Sequence, residues 1–99
     1  MVKLEIVETK NYEYNLKDEN ENNYILNLEF LDIAEKPKNG DIIYINHELL
    51  NSKYEGYSTS YTFGNLENKY GKNNIDINDI DVIKLVIGER AIYLKRLYG

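Results

Sequence analysis

The last part of the chain, residues 81–98, is the sequence feature that most restricts the fold. Two runs rich in Val, Ile, Leu and Tyr flank the dipeptide Gly88-Glu89. A two-residue loop with Gly first is typical of a type II′ turn, whose twist matches that of paired strands. The pattern therefore predicts a β-hairpin with a fixed register. The register places four pairs of residues opposite each other: Ile87 and Arg90, Leu85 and Ile92, Ile83 and Leu94, and Asp81 and Arg96.

The two faces of this hairpin differ in polarity. One face carries the apolar residues Ile83, Leu85, Ile87, Ile92 and Leu94. Because a hairpin alone is only marginally stable in water, the rest of the chain has to cover this face. The opposite face mixes lysines with apolar side chains, of which the largest are Val82, Val86 and Tyr93. Either the segment 46–70 folds over that second face, or another molecule does.

Alternating apolar residues predict strands in the first third of the chain as well. Residues 2–16 are predicted to form one long strand, bent near 9–11, because most of its apolar residues stand at even-numbered positions. The polar segment 17–23 predicts the tip of a hairpin. Residues 24–33 predict a second strand, whose inward face carries Tyr24, Leu26, Leu28 and Phe30.

The middle of the chain is more irregular. Residues 37–40 predict a turn that contains the only proline, and residues 41–46 predict a third strand. The segment 46–52 is expected to be one helical turn capped by Asn46, or a loop with two apolar anchors. Residues 54–64 predict a fourth strand, and 65–70 a second short helical piece.

This order of elements predicts an all-β, mainly antiparallel fold. We expect a small barrel or sandwich of five to six strands, OB-like or SH3-like, with one or two short helical turns in the 46–70 insert. A length of 99 residues suits one domain that spans 1–99.

Composition argues against several classes of function. The net charge is −5, and Arg90 and Arg96 are the only arginines, whereas nucleic-acid binding depends on cations placed against phosphates. No run approaches the ~20 apolar residues of a membrane span, and the acidic N-terminus has no apolar core of a signal peptide. We therefore expect a cytoplasmic protein without a membrane or nucleic-acid partner.

The sequence contains no constellation of catalytic or metal-binding residues. There is no Cys, and the single His, His47, is expected at the surface or in a helix cap. The acidic segment 76–81 alternates oxygen ligands only as far as Asn78 and has no Gly at its sixth position, so it does not match a calcium loop. We expect a protein that is not an enzyme and has no catalytic residues, metal or cofactor.

Four aromatic residues close together are the strongest candidate for a contact surface. They are interleaved with Ser, Thr and Gly, and they are Tyr54, Tyr57, Tyr61 and Phe63. Tyrosine offers a large rigid face and a hydroxyl, which favours it at binding surfaces. Alternating aromatics also form the inward face of a strand, so core and surface interpretations both stay open. Tyr54 falls on neither strand face and is expected to be the most exposed.

Two main functional hypotheses follow. The first is a non-catalytic binding module for a protein or peptide partner, with the four aromatic residues as its contact surface. The alternative is a self-associating structural protein, a monomer or weak homodimer that assembles through Val82, Val86 and Tyr93 on the outer face of the hairpin. A third hypothesis, single-stranded nucleic acid on an OB-like face, is disfavoured by the net charge.

Overall fold

The structure is a computed structural model that describes residues 1–50, 60–66 and 75–98. These ranges contain seven strands and one short helix: β1 (Val2–Lys10), β2 (Glu13–Lys17), β3 (Asn23–Leu31), β4 (Ile42–Ile45), α1 (His47–Leu50), β5 (Ser60–Asn65), β6 (Val82–Ile87) and β7 (Arg90–Tyr98). The strands form one sheet that closes on itself in the order β1-β2-β3-β5-β7-β6-β4. The all-β prediction is confirmed, with seven strands where five to six were expected. The resemblance to OB or SH3 barrels stays a prediction.

The C-terminal hairpin forms in the predicted register. β6 and β7 pair antiparallel, with Ile87 opposite Arg90 and Ile83 opposite Leu94. Gly88 has a φ of 61°, the positive value that a type II′ turn requires at its first position. Beyond the strand pairing, the Arg96 amide donates a hydrogen bond to the Asp81 carbonyl at 2.7 Å. The local turn chemistry thus decides the register of the longest hairpin in the chain.

The N-terminal segment is a hairpin, so the prediction of one long bent strand is wrong. β1 and β2 pair antiparallel around a turn at Asn11, which adopts a φ of 57°. Asparagine tolerates this left-handed conformation better than most residues. A bulge between Ile6 and Glu8 inserts one extra residue into β1. Inward-facing side chains therefore stand at even positions before the bulge and at odd positions after it. Before the bulge Ile6 lies opposite Leu16, so the even-numbered residues of that part of β1 share the inward face with those of β2, as they would on one continuous strand.

β3 joins two parts of the sheet. Its first half pairs antiparallel with β2, and its second half pairs parallel with β5, from Asn27 opposite Ser60 to Leu31 opposite Gly64. The predicted inward face is confirmed. Leu26, Leu28 and Phe30 are buried, and Tyr24 packs partly buried against the core. The parallel pair is a non-local contact that alternation along the sequence does not reveal.

The helical turn α1 closes the segment after β4. The side chain of Asn46 accepts a hydrogen bond from the Glu48 amide at 2.9 Å, as an N-cap does. Leu49 and Leu50 are buried in the core. The predicted helical turn is therefore confirmed as far as the structure describes it. The second predicted helical piece, 65–70, lies mostly outside the described residues.

The barrel interior is filled by side chains from all seven strands and α1. The largest fully buried ones are Phe63, Leu4, Ile6, Leu16, Leu26, Leu28, Ile43, Ile45, Leu50, Ile83, Leu85 and Leu94. Aromatic rings contribute one continuous group, in which Phe30 lies 5.7 Å from Tyr14 and 6.1 Å from Phe63 between ring centroids. Among the described residues, no helix is long and apolar enough to cross a membrane.

Candidate functional site

The predicted aromatic contact surface is only partly within the described residues. Tyr54 and Tyr57 lie outside them. Tyr61 and Phe63 belong to β5 and are buried, with exposed fractions of 3% and 0%. The Tyr61 hydroxyl donates a hydrogen bond to the Leu49 carbonyl at 2.7 Å, which satisfies its polar group inside the barrel. The surface interpretation is therefore corrected for Tyr61 and Phe63, because both face the core side of their strand.

The outer face of the C-terminal hairpin is also less accessible than the self-association hypothesis requires. Val82 is 1% exposed, and Val86 and Tyr93 are half-buried. Leu66, which follows β5, is buried as well, yet neither Leu66 nor Val82 belongs to the main core cluster. The chain itself thus covers Val82, and the prediction of Val82 as a contact residue is corrected for that reason.

Two ion pairs tie the segment before β6 to β7. The Asp79 carboxylate lies 3.3 Å from Lys95 Nζ, and Asp81 Oδ1 lies 2.7 Å from Arg96 Nη2. The second contact is an ion pair without the alignment of a hydrogen bond, since Asp81 Oδ1 is buried and has no hydrogen-bond donor. The Asp81 amide donates a hydrogen bond to the Asp79 carboxylate, which holds the pKa of that carboxyl below its ordinary value. The predicted pairing of Asp81 with Arg96 is confirmed.

The described residues contain no cluster of potential metal ligands. In the described ranges, no three His, Asp or Glu side chains are grouped so that they could hold an ion. Within the 76–81 segment the Asp76 carboxylate stabilises a turn, because it accepts a hydrogen bond from the Asn78 amide at 2.9 Å. His47 is exposed at the start of α1. The acids of the 76–81 segment thus stabilise their own turns and the contact of the segment with β7.

A groove at the turn end of the C-terminal hairpin is a concave surface that combines apolar and charged side chains. Its volume is about 530 Å³, and it is lined by Asp32, Ile33, Ala34, Asn65, Arg90, Ala91 and Ile92. One wall is the loop that follows β3, and the opposite wall is the first part of β7. Two other grooves, of about 510 and 410 Å³, are lined mainly by polar and charged side chains near the 18–21 loop. We name the groove at the turn end of the C-terminal hairpin the edge groove.

Two contacts and one backbone conformation define the walls of the edge groove. The side-chain amide of Asn65 donates a hydrogen bond to the Asp32 carbonyl at 3.2 Å. Arg90 Nη2 lies 2.7 Å from Glu35 Oε2 and forms an ion pair across the loop. Asp32 adopts a φ of 61°, a conformation that Asp takes more readily than most residues, and this bends the chain away from β3. The groove is therefore built by residues distant in sequence.

The edge groove contains an unpaired strand edge. β5 ends at Asn65, which pairs with Leu94, so within the described residues no strand pairs with the first four residues of β7 on that side. Arg90 closes the two-residue hairpin opposite Ile87, and its backbone groups therefore point towards β6. Backbone direction alternates along a strand, so the N–H and C=O of Ala91 point away from β6, into the groove. Ala91 is exposed.

Sequence reasoning missed this groove because it depends on strand length and non-local pairing. The nine residues of β7 exceed the six of β5, so the first part of β7 has no partner strand on that side among the described residues. The sequence matches no protein-family model, and no curated protein and no solved structure is significantly similar to it. We therefore base the proposed function on the chemistry of the edge groove.

Proposed function

We propose that this protein is a non-catalytic binding module that takes an extended peptide segment of a partner protein on the edge of β7 with which no described strand pairs. The observation that carries the proposal is the Ala91 edge inside the edge groove. Strand edges are templates for β-strand addition, in which main-chain hydrogen bonds provide affinity and pockets for alternate side chains provide specificity. We keep the predicted class, a binding module for a protein or peptide. As its contact surface we propose the edge groove in place of the four aromatic residues.

The groove walls define the chemistry of the peptide. Ile33 and Ile92 are half-buried, and Ala34 is exposed beside them, so the groove offers apolar contacts to every second residue of an added strand. The carboxylates of Asp32 and Glu35 lie at the loop wall. A peptide with alternating apolar residues and a cationic flank therefore fits better than an acidic one, and the net charge of −5 adds to that preference.

The expected affinity is modest. A peptide residue opposite Ala91 gains two main-chain hydrogen bonds, each worth about 0.5–1.5 kcal/mol net. Burial of two apolar side chains adds about 1.5–3 kcal/mol each before the cost of association is subtracted. With an association cost of at least about 4 kcal/mol, at most about 5 kcal/mol remains, which corresponds to a Kd of roughly 200 μM or weaker for a short peptide. The module would then depend on several contacts or on high local concentration.

Selection from a random heptapeptide library displayed on phage tests the proposal. Wild-type protein is expected to enrich sequences with alternating apolar residues, and NMR titration with a synthesised winner is expected to shift the amides of Ala91, Ile92 and Ile33. Ala91→Pro removes the edge donor without touching the β6 ladder, so it should lose at least tenfold in affinity. Ala91→Val keeps the donor, favours a strand and should retain binding.

The controls separate edge pairing from loss of fold. Circular dichroism is expected to show the same spectrum for both Ala91 variants. If Ala91→Pro does not fold, the same peptide with an N-methyl group on its central residue provides the equivalent test from the ligand side. The proposal is overturned if wild-type protein enriches no sequence family, or if the shifted amides lie away from the edge groove. Location in the cytoplasm stays a prediction from the sequence.

A further inference from the structure

A second exposed apolar surface lies on the outer face of β3, β5 and β7 and shares no residue with the edge groove. It consists of Leu31, Leu97 and Tyr98, with exposed fractions of 36%, 43% and 72%. We define these three residues as the outer patch. Large apolar side chains that are exposed together, unlike single ones, mark contact surfaces.

Strand register brings the outer patch together. Leu31 lies beside Gly64 in the parallel pair of β3 and β5. Tyr98 lies opposite Thr62, and Leu97 is the extra residue of a bulge between Tyr98 and Arg96. A Cβ added to Gly64 would come within 3.0 Å of Leu97 Cδ1, so Leu97 rests on the surface that this glycine leaves open. The three side chains therefore form one continuous surface.

Two opposite charges flank the outer patch at diagonal positions. Glu29 lies on β3 in the same row as Thr62 and Tyr98, and Lys95 lies on β7 in the same row as Gly64 and Leu31. With strands about 4.8 Å apart and alternate residues about 6.7 Å apart, this diagonal measures roughly 12 Å. The other diagonal, from Leu31 to Tyr98, is apolar, with Leu97 near the centre.

We infer that the outer patch binds a second copy of this chain in a two-fold symmetric dimer. A two-fold axis in the plane of the contact, parallel to the Leu31–Tyr98 diagonal, lays that apolar diagonal of one copy against its counterpart in the other. The same operation places Glu29 of each copy against Lys95 of the other. The surface is thus complementary to itself in both polarity and charge, which an isologous contact requires.

The internal contacts of the two charges are compatible with this arrangement. Glu29 forms no ion pair within the described part of the chain and is exposed. Lys95 is paired with Asp79 at 3.3 Å, but its side chain is 44% exposed and its ammonium group has three donors. Lys95 can therefore donate to a second carboxylate while it keeps its contact with Asp79.

The size of the patch limits the strength of the dimer. The exposed fractions correspond to roughly 300 Å² of apolar surface, against about 800 Å² per partner in a stable complex. We therefore expect a reversible dimer with a Kd of roughly 50–500 μM. This surface replaces Val82, Val86 and Tyr93 as the basis for self-association.

Sedimentation velocity from roughly 10 μM to 1 mM tests the inference, because that range brackets the expected Kd. Wild-type protein should change from monomer towards dimer. Tyr98→Ser should weaken dimerisation at least fivefold, and so should Glu29→Lys and Lys95→Glu alone. A mixture of the last two variants should restore association, because each then presents the charge that the other needs.

The mixing experiment distinguishes a dimer contact from an effect on folding, since a folding defect in either variant would not be repaired by the other. Glu13→Lys, an exposed charge change of the same kind on β2, is the matched control and should leave association unchanged. The inference is overturned if wild-type protein stays monomeric at 1 mM. It is equally overturned if a dimer forms but neither Tyr98→Ser nor Glu29→Lys weakens it, or if the mixture shows no recovery.

Discussion

Replacement of Phe63 by alanine tests whether the aromatic segment belongs to the core. Phe63 is 0% exposed, and its ring centroid lies 6.1 Å from that of Phe30 and 6.0 Å from that of Tyr61. Removal of a buried phenyl ring costs about 3–5 kcal/mol through lost burial and the remaining cavity. Because Phe63 contacts two further rings, we expect a loss near the middle of this range or above it, about 4–5 kcal/mol.

Equilibrium unfolding in urea, followed by circular dichroism, measures this loss directly. A domain of this size has a total stability of about 5–15 kcal/mol, so Phe63→Ala should be only marginally folded. Phe63→Leu keeps an apolar side chain, should lose about 1–2 kcal/mol and gives a result even if the alanine variant unfolds. Its melting temperature should fall by roughly 4–16 °C.

The control is Thr62→Ala, one residue earlier on the outer face of β5, which should change stability by less than about 0.5 kcal/mol. The reasoning would be refuted if Phe63→Ala lost less than about 1 kcal/mol, since a fully buried ring does not allow so small an effect. A similar loss in Thr62→Ala would contradict the assignment of the two faces of β5.

Two further predictions concern the turn of the C-terminal hairpin and the dependence of stability on pH. Gly88→Ala should destabilise the fold by about 1 kcal/mol or more in urea unfolding, because Gly88 has a φ of 61°. Glu89→Ala is the control and should have little effect. A loss of equal size in Glu89→Ala would contradict the turn assignment. Hydrogen bonds from Asn22 to Asp18, and from the Asp81 amide to Asp79, hold the pKa values of the Asp18 and Asp79 carboxyls below the ordinary 3.8. The ionised forms of these two carboxyls therefore stabilise the folded state at pH values above 3.8. The melting temperature should therefore fall as the pH drops below about 4, with a smaller fall in an Asp18→Asn, Asp79→Asn double variant; equal slopes for the two proteins would disprove this assignment.

The parts of the fold that depend on local chemistry could be predicted from the sequence. The register of β6 and β7 follows from Gly88 alone, and the helical turn follows from the capping residue Asn46. The N-terminal hairpin could not be distinguished from one strand, because a turn at Asn11 and a bulge near Val7 together preserve the even-numbered alternation. Two irregularities that compensate each other are invisible to periodicity.

The candidate sites depend on relations that no local pattern contains. The edge groove exists because β5 ends opposite Leu94, and the outer patch because Gly64 leaves room for Leu97. Both facts depend on the pairing of β5 with β7, and the parallel pairing of β3 with β5 adds Leu31 to the outer patch; each pairing joins residues far apart in the chain. For Tyr61 and Phe63 the sequence allowed either core or surface, and only the orientation of β5 in the barrel decides between them.

The division of β3 between two neighbours also determines how this chain can reach its native state. The hairpins β1–β2, β2–β3 and β6–β7 join residues close in sequence and can form independently. Closure of the barrel, however, requires Asn27 to meet Ser60 and Ile42 to meet Val86, contacts that pay a large loop-closure entropy before they add stability. Folding should therefore resemble the joining of the preformed β1–β2–β3 and β6–β7 units through β4 and β5, and the pairing of β3 with β5 ends beside both candidate binding surfaces.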